Sequence, residues 1–106
     1  MATIRVVSKR PGLPATVVTI ENTYEGMKVL LDGGTYCGIW LNGEIAGYCD
    51  DDGLSKGLPP NVAINGQTIV GPIVFSKSNR KGEDVGYKTL EAALTVCRFL
   101  DDAAVK

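Results

Sequence analysis

Short runs of β-branched residues alternate with turn residues along the first third of the chain. Residues 3–9 and 15–21 are rich in Val, Ile and Thr, and Arg10-Pro11-Gly12-Leu13-Pro14 lies between them. Runs of this kind bounded by Pro and Gly read as strands, and proline cannot donate to a ladder. A β-hairpin is expected. The period then changes. Asn22 followed by Glu25 has the spacing of a capping box, and it opens a helix from Thr23 to about Leu31 with Met27, Leu30 and Leu31 on its apolar side. Gly26 should weaken this helix by about 1 kcal/mol relative to Ala, and Gly33-Gly34 should end it. Residues 35–41 and 44–49 are apolar runs flanking Asn42-Gly43. Asn-Gly supplies the positive φ values of a type I′ turn, so this pair reads as a second hairpin.

Residues 49–61, Cys-Asp-Asp-Asp-Gly-Leu-Ser-Lys-Gly-Leu-Pro-Pro-Asn, break the pattern. A tight turn does not need thirteen residues, and long ordered loops in small domains are often functional. Residues 62–64 read as a short helix or turn, and Asn65-Gly66 as a tight turn. Residues 67–76 form a strand interrupted by Gly71-Pro72, where a proline implies a bulge or an edge. Residues 77–82 are a polar turn, and 83–87 a last short strand. Thr89 caps a C-terminal helix whose apolar stripe is Leu90, Ala93, Leu94, Cys97 and Leu100. Residues 101–106 are expected to fray. The order β-β-α-β-β-loop-β-(β)-α gives an α+β domain over residues 1–106. It has a mainly antiparallel sheet of about five to six strands, with two helices on one face.

Composition narrows the chemistry. The chain has 106 residues, 44% apolar, with a net charge of −1. A general nucleic-acid binder would usually be basic. No apolar run approaches the ~20 residues of a membrane span, and the start of the chain reads as a strand and not as a signal peptide. A cytoplasmic protein, acting in a host cell's cytoplasm, is expected. Cys37, Cys49 and Cys97 form no Cys-x-x-Cys and read as reduced, buried thiols. There is no histidine, which removes the commonest general base and metal ligand.

Four elements occur in order: an Asn-Thr helix start ending at Gly33-Gly34, an apolar hairpin, an acidic loop with Gly53, Lys56 and Gly57-Leu58-Pro59-Pro60-Asn61-Val62-Ala63, and Gly71 within an Ile-Val run ahead of a polar turn. Together they resemble a family of small phage and mobile-element proteins of unknown function with a Gly-Leu-Pro-x-Asn-(Arg)-Ala loop. The resemblance covers roughly residues 3 to 90. It implies a mobile-element origin and no reaction. Two positions depart from the pattern. Asp50-Asp51-Asp52 stand where the family often has Asn-Glu, and Val62 stands where it has Arg. Any anion contact made by that Arg must here come from elsewhere.

Candidate chemistry is sparse. Asp50-Asp51-Asp52-Gly53 suggests a calcium loop, but an acid at the twelfth position would fall on Pro59, so a solvated acidic turn is the expectation and no metal is assigned. Lys77, Arg80 and Lys81, beside Ser78 and Asn79, suit a phosphate. Tyr36 and Trp40 share a strand face by even spacing and offer stacking. Asn61 reads either as a backbone anchor behind stiff prolines or as the rim of a pocket. The expected function is therefore that of a non-enzymatic, homo-oligomeric binding protein without a cofactor that sequesters a nucleotide signal in counter-defence. Its ligand would meet Tyr36, Trp40, Asn61, Lys77, Arg80 and Lys81. The alternative is an inhibitor that docks on a host protein through Asp50, Asp51 and Asp52, acids that would steer the encounter.

Overall fold

The computed structural model describes residues 3–32, 36–40, 45–64, 66–79, 81 and 83–105 of the chain, with residues 36, 37, 39 and 40 described in their backbone alone.

 The last of these stretches runs unbroken from Glu83 to Val105. The Asn42-Gly43 turn, Gly33-Gly34, Asn65 and Arg80 lie outside the described residues.

The strands are β1 (Thr3–Lys9), β2 (Thr16–Glu21), β3 (Tyr36–Trp40), β4 (Ile45–Asp50), β5 (Pro60–Ile64), β6 (Gln67–Val70) and β7 (Ile73–Lys77); the helices are α1 (Tyr24–Leu30) and α2 (Leu90–Asp102). Five strands form one sheet in the order β2-β1-β7-β4-β3, and β5-β6 form a separate hairpin. Every pairing among the described residues is antiparallel. The α+β class and the two helices match the expectation. No helix among the described residues is long and apolar enough to cross a membrane.

The helices do not share a face of the sheet. Successive strand residues point to opposite sides, and β1 is apolar on both. Ile4 and Val6 pack with Met27 and Leu31 of the α1 segment and with Val74. Val7 packs with Phe75, Ile73, Val62 and with Ala93, Val96, Cys97 and Leu100 of α2. The sheet is thus covered by α1 on one face and by α2 with the β5-β6 hairpin on the other. The adjacent Val6-Val7 pair is the sequence mark of this two-sided burial.

Other boundaries also move. Thr23, not Asn22, caps α1, its Oγ1 accepting from the Gly26 N–H at 3.0 Å. A side chain at Gly26 would collide with the Glu21 carbonyl, so this glycine, costly for the helix, is required by the turn before it. Asp32, with φ 60°, takes the left-handed position after the helix, a conformation Asp tolerates better than most residues. Thr89 caps α2 as expected, accepting from the Ala92 N–H at 3.1 Å. The buried stripe of α2 is Ala93, Val96, Cys97 and Leu100, and Leu90 and Leu94 are exposed.

Residues 62–64 belong to a strand and not to a helix or turn. Val62 and Ile64 are buried in the α2-side core, so alternation and not helical spacing governs them. The segment after α2 is held as well. α2 runs to Asp102, the Ala63 N–H donates to the Ala103 carbonyl at 2.9 Å, and the Val105 N–H donates to the Asn61 carbonyl at 2.9 Å. Residues 103–105 therefore run beside β5 and do not fray. Residues 83–87 form no strand; Asp84 makes a single bridge to Ser78.

Candidate functional site

Asn61 sits where the β5-β6 register slips, between the Pro60–Val70 and Val62–Ile69 pairs. A bulge leaves one residue unpaired and re-aims its side chain. Here it turns the carboxamide inward, at 1% exposure. Its Nδ2 donates to the carbonyls of Lys9 and Gly71, both at 2.8 Å, and its Oδ1 accepts from Lys9 Nζ at 2.9 Å. Asn61 thus ties three segments together, which is the anchor reading of the Leu-Pro-Pro-Asn motif. Gly71, at φ 76°, permits the turn beside it, and a side chain there would strike Leu58. The Gly71 N–H donates to the Pro59 carbonyl at 2.8 Å.

The acidic loop is held by its own first residue. Asp50 Oδ2 accepts from Lys56 Nζ at 2.8 Å, and Oδ1 accepts from the Asp52 N–H at 2.8 Å. The Lys56 ammonium, then the Asp52 N–H, hold the Asp50 carboxyl below its usual range, and the Asp50 contact raises Lys56 in turn. Asp50 is buried, whereas Asp51 and Asp52 are exposed. Among the described residues no group of three or more Cys, Asp and Glu side chains is placed to hold a metal ion. The loop and β6 border a groove of about 310 Å³ lined by Asp50, Asp51, Leu54, Ser55, Thr68 and Val70.

The basic turn lies at the far end of β7. Lys9 pairs with Ile73 at one end of β7, and Ile45 pairs with Lys77 at the other. Four residues of strand, about 13 Å, thus separate Lys77 from the end where Asn61 is anchored, so the structure does not bring these two together. Ser78 and Asn79 are committed internally. The Ser78 hydroxyl donates to Asp84 Oδ1 at 3.2 Å, and Asn79 Oδ1 accepts from the N–H groups of Lys81 and Glu83 at 2.9 and 3.0 Å. Tyr48 donates its phenol proton to Asp84, 2.8 Å from Oδ2. Among the described residues neither Lys77 nor Lys81 makes an ion pair. In the backbone, Trp40 is opposite Ala46, which is opposite Ser76, so Trp40 lies at the Lys77 end of the sheet. Tyr36 is opposite Asp50, at the other end.

Sequence reasoning missed Lys9. It is 2% exposed, an unusual state for lysine. The available signal was its place two residues after Val7 on an inward-facing run. Tyr87 was also missed. Its hydroxyl is buried without a hydrogen-bond partner among the described residues, and burial pushes the phenol far above its usual range. Burial likewise raises the Cys97 thiol. Cys97 is a free, buried thiol and Cys49 is half-buried, and the Cys37 side chain is outside the described set.

The family model of a domain of unknown function, DUF3846, matches residues 4–97. No curated protein and no solved structure gives a significant match.

Proposed function

The chain belongs to the DUF3846 family, whose function is unknown, and we propose that it is a non-enzymatic binding protein of phage or mobile-element origin that sequesters a nucleotide signal in the host cytoplasm. The observation that carries this reading is the pair Lys77 and Lys81, whose ammonium groups have no carboxylate partner among the described residues, at the sheet end that also holds the Trp40 backbone. Cations at the end of a strand suit phosphates, and an aromatic residue on the neighbouring edge suits a base. Because Ser78 and Asn79 are engaged within the turn, the phosphate falls to the lysines, with Arg80 as the third cation. Asn61 supports the scaffold and does not touch the ligand. β3 is an edge strand, which a second copy can cover, so a homo-oligomer is part of the proposal. Protein purified from its host should release a phosphate-bearing small molecule on heating, read by mass spectrometry. A clean spectrum from protein that also ignores added nucleotides sinks the proposal.

A second reading has its own support. Asp51 and Leu54, which is 82% exposed, line the groove between the loop and β6, and Asp52 is exposed in the same loop. Acids around an apolar residue suit a basic protein partner. Reversing the charge of Asp51 and Asp52 would then abolish a stoichiometric host complex while leaving nucleotide binding intact.

A further inference from the structure

Lys9 ends β1 inside the molecule, and a buried ammonium is costly unless its donors and charge are met. It has three donors. One meets Asn61 Oδ1 at 2.9 Å and one meets the Arg10 carbonyl at 3.4 Å. Both acceptors are neutral, and among the described residues no carboxylate lies within 4.0 Å of Nζ. Lys9 also lines a cleft of about 400 Å³, a size found among ligand pockets, which run from roughly 300 to 1,000 Å³.

The cleft has a second charge. Asp101, near the end of α2, lines it as well, and its Oδ1 accepts from the Ala15 N–H at 2.8 Å. The remaining walls are Gly12, Leu13, Pro14, Ala104 and Val105, and both Leu13 and Val105 are exposed. A simple anion would be drawn to Lys9 and repelled by Asp101, and a simple cation the reverse. A molecule with both charges satisfies the two, and an aliphatic tail suits the walls. We infer that this cleft binds a small zwitterion, a free aliphatic α-amino acid, with its carboxylate toward Lys9, its ammonium toward Asp101 and its side chain between Leu13 and Val105. This site is at the opposite end of β7 from Lys77 and does not depend on the nucleotide reading.

The test uses L-leucine, N-acetyl-L-leucine, which lacks the ammonium, and L-leucinamide, which lacks the carboxylate, titrated into the whole chain by NMR. Leucine should give saturable shifts of the Gly12, Ala104 and Val105 amides. Each blocked analogue should bind at least about tenfold more weakly, having lost one charge-assisted contact. Asp101→Asn keeps an acceptor for the Ala15 N–H and removes the charge, so the variant should fold. It should weaken leucine to the level of N-acetyl-leucine and not weaken N-acetyl-leucine itself. Absence of saturable shifts with leucine overturns the inference, as does equal binding of either analogue or unchanged leucine affinity in Asp101→Asn.

Discussion

Asn61, Lys9 and the Gly71 carbonyl form a buried polar junction in which each group depends on the others. Replacing Asn61 with Ala leaves an ammonium and two carbonyls short of a partner, and unsatisfied buried groups are costly. Asn61→Ala should lower the unfolding free energy by about 2–4 kcal/mol, measured by urea denaturation. Tyr87 presents the opposite case. Its hydroxyl already lacks a partner, so Tyr87→Phe should raise stability by about 1 kcal/mol. Its raised phenol contributes stability that is present below the ordinary tyrosine range and lost as pH rises through the folded value. The variant should therefore lose less stability than the natural chain at alkaline pH. Asp50 works at the acid end. Its lowered carboxyl contributes stability above the unfolded carboxylate range, lost as pH falls through the folded value. Asp50→Asn should lower the urea midpoint at pH 7, and the gap should close in acid.

At the scale of elements, the β5-β6 hairpin depends on the tail that follows α2. The backbone bonds to Ala103 and from Val105 give β5 a neighbour on its outer side. Ending the chain after Asp102 removes those bonds, uncovers Asn61 and Val62, and strips two residues from the Lys9 cleft. The truncated chain should show faster amide exchange at Ala63 with little change in β1 and β7, as read by NMR. Local signals made some elements legible. Thr89 stands four residues before the buried stripe of α2 begins at Ala93, and the β-branched runs at 3–9 and 15–21 stand beside prolines. Others depended on distant contacts. Pro60 and the bulge disguised β5, whose apolar residues are needed under α2. Thr23 displaced Asn22 as the cap, and Asn22 Nδ2 instead donates to the Asp84 carbonyl at 3.0 Å.

At the scale of the molecule, the sequence showed the α+β class and the two helices because hydrophobic period and turn residues are local. It concealed which face each helix covers, since that is decided by the register of β1 against β7 and not by either helix. The candidate site divided in the same way. The loop motif announced that Asn61 matters, but its partners, Lys9 and Gly71, are 52 and 10 residues away in the chain. The buried state of Lys9 was hidden for that reason. The central claim is that the chain holds a nucleotide through Lys77 and Lys81. Its most direct test is a thermal-shift titration of the natural chain and the Lys77→Ala/Lys81→Ala variant against a panel of cyclic and linear nucleotides. The account predicts that at least one nucleotide raises the melting midpoint of the natural chain and fails to do so in the variant. No shift with any nucleotide, or an equal shift in both proteins, would contradict it.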